Sequence, residues 1–259
     1  MSKSRRYWPR LDADKVKAFQ ARLLRWFREH GRDLPWRRTR DPYKILVSEV
    51  MLQQTQVERV REYYGRFLRQ YPTIQDLASA NPGRVRDSWD GLGYYARARN
   101  LHAAARTVVR EHGGRFPRGL EEVLSLPGVG RYTAGAVLSF AFEEPAPILD
   151  TNVRRVLSRI FVRRRASRPA AAERRLWALA EAVIPDGDAW AFNQALMDFG
   201  ATVCTARNPR CPTCPLRNLC VYYGSMKSRP SPSPAEQSAP STIAPPRLDI
   251  YPAISRQCS

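Results

Sequence analysis

Two acidic residues, Glu49 and Asp150, stand where a carboxyl group could carry acid–base chemistry. Glu49 lies in the apolar run Val47-Ser-Glu-Val-Met-Leu52. Burial among apolar neighbours favours the protonated form of a carboxyl group, which suits it to act as a general acid. Most single glutamates are exposed on a protein surface instead, so residue 49 alone leaves both interpretations open.

Asp150 precedes the stretch Thr151-Asn-Val-Arg-Arg-Val-Leu157, which has the pattern of a helix. An aspartate in this position caps the first amides of the helix, and these amides and the helix dipole favour the ionised carboxylate. A protonated and an ionised carboxyl group in different surroundings form the pair that cleaves glycosidic bonds. Because Glu49 and Asp150 are far apart in the chain, their pairing is a hypothesis that the fold must bring about.

A third candidate centre consists of four cysteines with the spacing C-x6-C-x2-C-x5-C: Cys204, Cys211, Cys214 and Cys220. Four thiolates so close in sequence can surround one tetrahedral zinc ion or one iron–sulfur cluster, and the spacing does not choose between them. Their crowding argues against four unrelated surface thiols. Cys258 lies apart from them, and we interpret it as an exposed thiol.

The segment Leu126-Pro-Gly-Val-Gly130 predicts a tight turn between two helices, because Gly128 and Gly130 allow backbone conformations closed to other residues. Exposed amides at the start of the following helix would form an anion site, suited to a backbone phosphate. A glycine-rich turn that only packs two helices is the alternative.

The charge of the chain favours the phosphate interpretation. It has 43 Lys and Arg against 24 Asp and Glu, a net charge of +19 at pH 7, and such an excess attracts nucleic acid. Basic residues crowd a stretch whose only acid is Glu173, and they predict a track along the DNA backbone: Arg154, Arg155, Arg159, Arg163, Arg164, Arg165, Arg168, Arg174 and Arg175.

The sequence also bears on location. No apolar run approaches the ~20 residues that span a bilayer, and the basic start Met1-Ser-Lys-Ser-Arg-Arg6 has no apolar stretch behind it. We expect no membrane association, and a monomer in a reducing compartment, the cytoplasm, associated with the nucleoid.

Helices joined by short turns are predicted to position these groups. Apolar residues recur at helical spacing from Val16 to Phe27 and predict a helix over residues 15–30. A second helix is predicted to open at Pro42 and to run through Val57. No segment alternates long enough to suggest a sheet, so the predicted class is all-α. Residues 225–259 hold seven prolines and eight serines, and we expect this tail to be disordered.

Together these stretches closely resemble the MutY-type adenine DNA glycosylases of the helix-hairpin-helix superfamily, which includes endonuclease III. The resemblance covers about residues 15–223 and is carried by Leu34-Pro-Trp-Arg37, Asp41-Pro-Tyr43, Ser48-Glu-Val-Met-Leu-Gln-Gln-Thr-Gln-Val57, Gly91–His102, Leu126–Gly130, Leu149-Asp-Thr-Asn-Val-Arg-Arg-Val156 and the four cysteines. It implies a six-helix barrel and a second helical domain that holds a [4Fe-4S] cluster, and so favours iron over zinc. The implied domains are residues 1–40 (N-terminal helix of the cluster domain), 41–149 (barrel with hairpin), 150–223 (cluster domain) and 224–259 (tail).

The resemblance also implies a mechanism for removing a mispaired adenine from double-stranded DNA. Glu49 matches the acid that protonates the adenine ring and then activates a water, and Asp150 the group that stabilises the sugar cation. Tyr132 and Asn152 are similar to residues that assist this centre. Other matching residues are implied to bind the substrate: Arg32, Trp36, Leu52, Gln194 and Met197 in the adenine pocket, Gln53, Gln54 and Tyr94 at the base stack, and Gly128 and Gly130 in the hairpin. Several of these could equally be core packing: Trp36, Leu52, Tyr132 and Met197.

Three features bear on reaction type and specificity. Tyr132 stands where bifunctional relatives place a lysine that forms a Schiff base, so we expect a monofunctional enzyme. The tail stands where the family often has a Nudix-like domain that recognises 8-oxoguanine, so we expect less selectivity between guanine and 8-oxoguanine opposite adenine. The ending Cys220-Val-Tyr-Tyr223 is similar to the thymine-removing mismatch glycosylases. Removal of thymine opposite guanine, and DNA binding without catalysis, are therefore the alternatives.

Overall fold

A computed structural model describes residues 11–162 and 168–227 of the chain. Within these ranges there are twelve α-helices, two short 3₁₀ helices and no strand, which confirms the predicted all-α class. The helices are α1 (Ala13–His30), α2 (Pro42–Leu52), α3 (Val57–Gln70), α4 (Ile74–Ser79), α5 (Pro82–Asp87), α6 (Ala96–His112), α7 (Leu120–Leu124), α8 (Arg131–Phe142), α9 (Thr151–Phe161), α10 (Pro169–Ala182), α11 (Ala189–Thr202) and α12 (Val221–Lys227). The predicted disordered tail after residue 227, including Cys258, and Arg163, Arg164 and Arg165 lie outside the described residues.

Helix α1 begins where the sequence predicts, because the Asp12 side chain accepts from the amides of Asp14 and Lys15. Its apolar stripe, with Phe19 and Leu23 fully buried, packs against α11 from the far end of the chain. The first helix therefore belongs with the C-terminal helices rather than with its neighbours in sequence.

Helices α2 and α8 form the buried centre of the fold and pack against each other. Both are apolar on nearly every side, which is typical of helices covered by protein all round. Gly135 of α8 lets the extended segment before α9 approach closely, since a Cβ there would lie 2.2 Å from the Pro147 carbonyl oxygen. This approach places Asp150 beside α8.

The prediction that α2 runs through Val57 is wrong. The helix ends at Leu52, and α3 begins only at Val57. The intervening turn contains Gln54 with a φ of 55°, a left-handed conformation that no α-helix can continue through. The turn therefore separates the end of the buried helix α2 from the amphipathic helix α3, whose apolar face is buried and whose other face is charged.

The C-terminal part of the fold is organised around α9, which contacts α10, α11 and α12. The cysteine-containing loop between α11 and α12 lies against the same helix, through hydrogen bonds from Arg155 and Arg159. Among the described residues, no helix is long and apolar enough to cross a membrane.

Candidate active site and cysteine centre

Glu49 is buried on α2, with 4% of its surface exposed. Its pKa is raised from the ordinary value to about 7, mainly by burial. The nearby Asp150 carboxylate also raises the pKa, whereas the hydrogen bond from Tyr132 and the charge of Arg37 act to lower it. A large share of Glu49 is therefore protonated at neutral pH, as a general acid needs. The solvent-exposed alternative for Glu49 is wrong.

Tyr132 lies in the first turn of α8, within reach of both Glu49 and Met197. Its hydroxyl donates to Met197 Sδ at 3.3 Å, although a thioether is a weak acceptor and the Glu49 carboxyl group is a far better one. The hydrogen bond from the Tyr132 hydroxyl to Glu49 also acts to lower the pKa of Glu49, against the larger effect of burial. Burial keeps the pKa of Tyr132 well above its ordinary value, so the phenol remains a neutral donor.

Asp150 caps α9, as its position in the sequence predicts. One carboxylate oxygen accepts from the Val153 amide at 2.6 Å, and the other accepts from Asn152 Nδ2 at 3.0 Å. Burial raises the pKa of Asp150 above its ordinary value, while these two donors act to lower it. The position of Asp150 in the sequence predicts the donors that favour its ionised form, but not the burial that opposes it.

The fold thus brings together three groups from three helices: Glu49, Tyr132 and Asp150. Glu49 and Asp150 each feel the other's charge, and both act on Tyr132. Two carboxyl groups in one buried cluster tend not to be ionised together, because each negative charge raises the cost of the second. The cluster can therefore present one proton donor and one carboxylate.

Arg32, predicted to line the adenine pocket, is engaged by a residue that sequence reasoning missed. Asp198 of α11 is fully buried and accepts from Arg32 Nε at 2.8 Å. It also accepts from Arg37, at 2.8 Å to both of its oxygens. The signal available in the sequence was an aspartate directly after the apolar residues Ala195-Leu-Met197 and before Phe199. This ion pair anchors the loop after α1 and holds the positive charge of Arg37 near Glu49.

The other predicted pocket residues divide between the site and the core. Met197 contacts Tyr132, and Gln194 is buried one turn earlier on the same side of α11. Trp36 is buried against Tyr64, with ring centroids 5.6 Å apart, as in the core-packing alternative. Leu52 is half-buried at the end of α2.

The predicted base-stack and hairpin residues lie outside this buried cluster. Gln54 and Tyr94 are exposed on two loops, and Tyr94 is 63% exposed. Gln53 and Gly128 line a separate cavity of about 260 Å³ beside the hairpin. Gly128 has a φ of 74°, and Gly130 caps the start of α8 with open space where a Cβ would stand. The hairpin therefore has room for a ligand group to approach its backbone.

The four cysteine side chains line one cavity of about 360 Å³, a volume that includes its mouth. Among the described residues, no three His, Cys, Asp or Glu side chains are grouped to hold a single metal ion. Four cysteines around one cavity are a ligand set used both for zinc and for an iron–sulfur cluster. Burial and the charges of the other three thiolates together raise the pKa of Cys214 to about 11. Four ionised thiolates at this site therefore need a cationic centre to offset their charge.

The predicted DNA track over the arginine-rich stretch is wrong for three of its members. Arg155 donates to the carbonyls of Cys204 and Gly200, both at 2.6 Å, and Arg159 donates to the Thr205 carbonyl at 2.7 Å. These two side chains point inward and fasten the cysteine loop to α9. Arg154 forms an ion pair with Glu173 of α10. Three of the six described arginines in this stretch thus make contacts that hold the helices and the cysteine loop together.

Two family models match the chain. Residues 47–182 match the HhH-GPD superfamily of base excision DNA repair proteins, and residues 204–220 match the iron–sulfur binding domain of endonuclease III. The second match covers all four cysteines. The chain therefore carries a [4Fe-4S] cluster as its resident cofactor.

Individual relatives and structures agree with these models. The mouse adenine DNA glycosylase is 45% identical over 82% of this chain and 43% of its own length. The thymine-DNA glycosylase of Aeropyrum pernix is 39% identical over 83% of this chain and 98% of its own length. A non-covalent endonuclease III–DNA complex superposes with a TM-score of 0.70 at 26% identity, covering 85% of this chain and all of that one. The chain thus spans less than half the length of its mammalian relatives.

The cluster assignment makes a measurable prediction. Protein purified without oxygen is expected to be brown and to contain about four iron atoms per chain. Cys214→Ser should lower the iron content and the visible absorbance, because the cluster loses one thiolate. Cys258→Ser is the matched control and should leave both unchanged. A colourless protein containing one zinc ion per chain would overturn the assignment.

Proposed function

Because the chain belongs to the HhH-GPD superfamily of base excision DNA repair proteins, we propose that it is a monofunctional DNA glycosylase acting on mispaired adenine in duplex DNA. The observation that carries the proposal is the buried cluster of Glu49, Tyr132 and Asp150. A protonated carboxyl group beside a second carboxylate is the arrangement that glycosidic bond cleavage requires.

The reaction follows from the positions of the two carboxyl groups. Glu49 donates its proton to a ring nitrogen of adenine while the bond from the base to the sugar breaks, and the bonding electrons leave with the base. The Asp150 carboxylate stabilises the resulting positive charge on the sugar. A water then attacks the sugar carbon, and Glu49, now ionised, accepts its proton. The products are free adenine and an abasic site, and Glu49 is protonated again.

Adenine opposite 8-oxoguanine or guanine is the proposed target. The similarity to the mouse adenine DNA glycosylase supports adenine as the base removed. The net charge of +19 and the open backbone at Gly130 support binding of a monomer to duplex DNA through its phosphates. The four cysteines that would hold the cluster lie against α9 through Arg155 and Arg159, and no step of the chemistry is assigned to the cluster.

Removal of thymine opposite guanine is the second candidate, because the Aeropyrum thymine-DNA glycosylase matches over 98% of its length. Purified protein incubated with duplexes that contain A:8-oxoguanine, A:G or T:G, followed by alkali, distinguishes the two. We expect strand cleavage at adenine. Cleavage at thymine alone would favour the second candidate, and binding without any cleavage would contradict both.

The protein is expected to release the base without cutting the strand. A lyase forms a Schiff base between an amine and the sugar, whereas Tyr132 offers only a phenol, which burial keeps protonated. Treatment of the reaction with borohydride should therefore trap little protein on the DNA, and strand breaks should appear only after alkali. A trapped adduct in good yield would contradict the monofunctional proposal.

A further inference from the structure

Arg97, in the first turn of α6, joins two loops through one buried side chain. It is 8% exposed, and its guanidinium group donates five hydrogen bonds to backbone carbonyls. The acceptors are Val50 at 3.0 Å, Met51 at 2.7 Å, Gln53 at 2.6 Å, Leu92 at 3.0 Å and Gly93 at 3.1 Å. The first three belong to the end of α2 and the turn after it, and the last two to the loop before α6.

The chemistry of these acceptors explains why an arginine is used. The last carbonyls of a helix have no partner within the helix and carry partial negative charge, so a cation at this end is favourable. Arg97 satisfies the carbonyls of Val50 and Met51, while the Thr55 amide donates to Leu52. The planar fork of a guanidinium group can serve two chain segments at once, which the single ammonium group of lysine cannot do to the same extent.

Each of the two joined loops carries one strained and exposed residue. Gln54 follows the Arg97 acceptor Gln53 and has a φ of 55°, and Tyr94 follows the acceptor Gly93 and has a φ of 48°. A left-handed conformation costs free energy in residues other than glycine, and it persists where the surroundings enforce it. Neither side chain gains burial in return, since Tyr94 is 63% exposed and Gln54 is also exposed. Tyr94 does contact Arg97, whose guanidinium carbon lies 5.6 Å from the centroid of the Tyr94 ring, so its strained conformation is held by the same residue and is not offset by burial.

We propose that Arg97 is a positioning residue that holds Gln54 and Tyr94 at a fixed separation, so that both enter the base stack as the target base leaves it. This inference rests on the proposed function. Extruding a base from a duplex costs a few kcal/mol of stacking and pairing. Two side chains held in place before binding offset this cost better than two mobile loops, because mobile loops also lose conformational entropy when they become ordered. Gln54 lies five residues beyond Glu49 on the same chain segment, so the pair is fixed relative to the acid.

The test uses Arg97→Lys, which keeps the charge but not the two-segment fork, with Arg99→Lys on the exposed side of α6 as the matched control. A duplex with 2-aminopurine beside the target adenine reports unstacking by fluorescence, and single-turnover excision reports the chemistry. Arg97→Lys is expected to slow both by about tenfold or more. Its thermal midpoint should fall because buried carbonyls lose their donor, so both rates are measured well below that midpoint and at wild-type iron content. Arg99→Lys should change neither.

A double-mutant comparison separates positioning from general stability. In a Gln54→Ala/Tyr94→Ala background, Arg97→Lys is expected to lose most of its effect on unstacking, because the side chains that it positions are gone. An equal fold-change in both backgrounds would overturn the inference while leaving the glycosylase proposal intact. If wild-type protein excises no base, the proposed function itself fails.

The inference does not depend on Arg97→Lys being well folded. Gln54→Ala and Tyr94→Ala alter exposed side chains and can be combined in the presence of Arg97. If Arg97 makes the pair act as one unit, the double variant should unstack the base little more slowly than the worse single variant. Fully additive effects would contradict the proposal.

Discussion

Replacing Glu49 with glutamine is expected to slow adenine release by about a thousandfold under single-turnover conditions, within the range attributed to general acid–base catalysis. Glutamine keeps the shape and much of the hydrogen bonding of the buried side chain but cannot donate a carboxyl proton. DNA binding should change little, because Glu49 is 4% exposed and contributes no charge to the DNA-facing surface. Base release measured in the presence of excess enzyme, together with binding to the same duplex, tests this.

Glu58→Gln is the matched control for Glu49, since it removes an exposed carboxylate of α3 from the same part of the chain. It should leave the rate within about twofold of wild type, as expected for a surface substitution. If Glu49→Gln excises adenine at the wild-type rate, the acid is another group and the mechanism proposed here is wrong.

Replacing Asp150 with asparagine is expected to slow base release by about 10²- to 10³-fold, similar to the loss of one electrostatic contact to a transition state. Asparagine removes the negative charge that opposes the developing charge on the sugar. It caps a helix about as well as aspartate, so the Val153 amide keeps an acceptor and the thermal midpoint should fall little. The measurement pairs single-turnover rates with thermal unfolding.

Asp41→Asn is a close structural control for Asp150. Asp41 caps α2 as Asp150 caps α9, and its carboxylate accepts from the Tyr43 amide at 2.9 Å. Both substitutions should affect stability alike, but only Asp150→Asn should affect excision. Equal losses of activity in the two variants would mean that Asp150 matters only as a helix cap.

The local features of the site could be predicted from the sequence because they depend on neighbouring residues. The stripe from Val16 to Phe27 predicts α1, the position of Asp150 predicts its cap, and the glycines at 128 and 130 predict the hairpin turn. The four cysteines predict a metal centre in the same way. Each of these patterns spans only a few turns of chain.

The features that could not be predicted arise from contacts between distant segments. The ion pair between Arg32 and Asp198 joins the loop after α1 to α11, and no local sequence pattern at either residue indicates its partner. Arg155 and Arg159 were predicted to face DNA because their charge is visible in the sequence, whereas their inward direction is set by the cysteine loop. The early end of α2 depends on a left-handed turn at Gln54 that Arg97 stabilises from α6. The cysteine spacing alone did not choose iron over zinc, and that choice came from the family resemblance and the match to the iron–sulfur binding domain.

The roles of individual side chains remain predictions. The structure brings Glu49, Tyr132, Asp150 and Met197 together, which is what the resemblance implies for a catalytic centre. It places Trp36 against Tyr64, where its burial is explained by packing alone. Substitution at these positions, rather than their placement, will decide which of them touch the base.

The pH dependence of kcat/KM for adenine release tests the central claim most directly. This parameter reports the ionisation of the free enzyme, in which burial raises the pKa of Glu49 to about 7. Because Glu49 acts when protonated, kcat/KM is predicted to fall about tenfold for each pH unit above this pKa. Below it, kcat/KM should be constant until the Asp150 carboxylate, whose pKa burial raises above its ordinary value, becomes protonated and the rate falls again. DNA binding by Glu49→Gln in the same buffers controls for titration of other groups. A rate that is flat or rises through pH 7, with binding unchanged, would contradict Glu49 as the general acid.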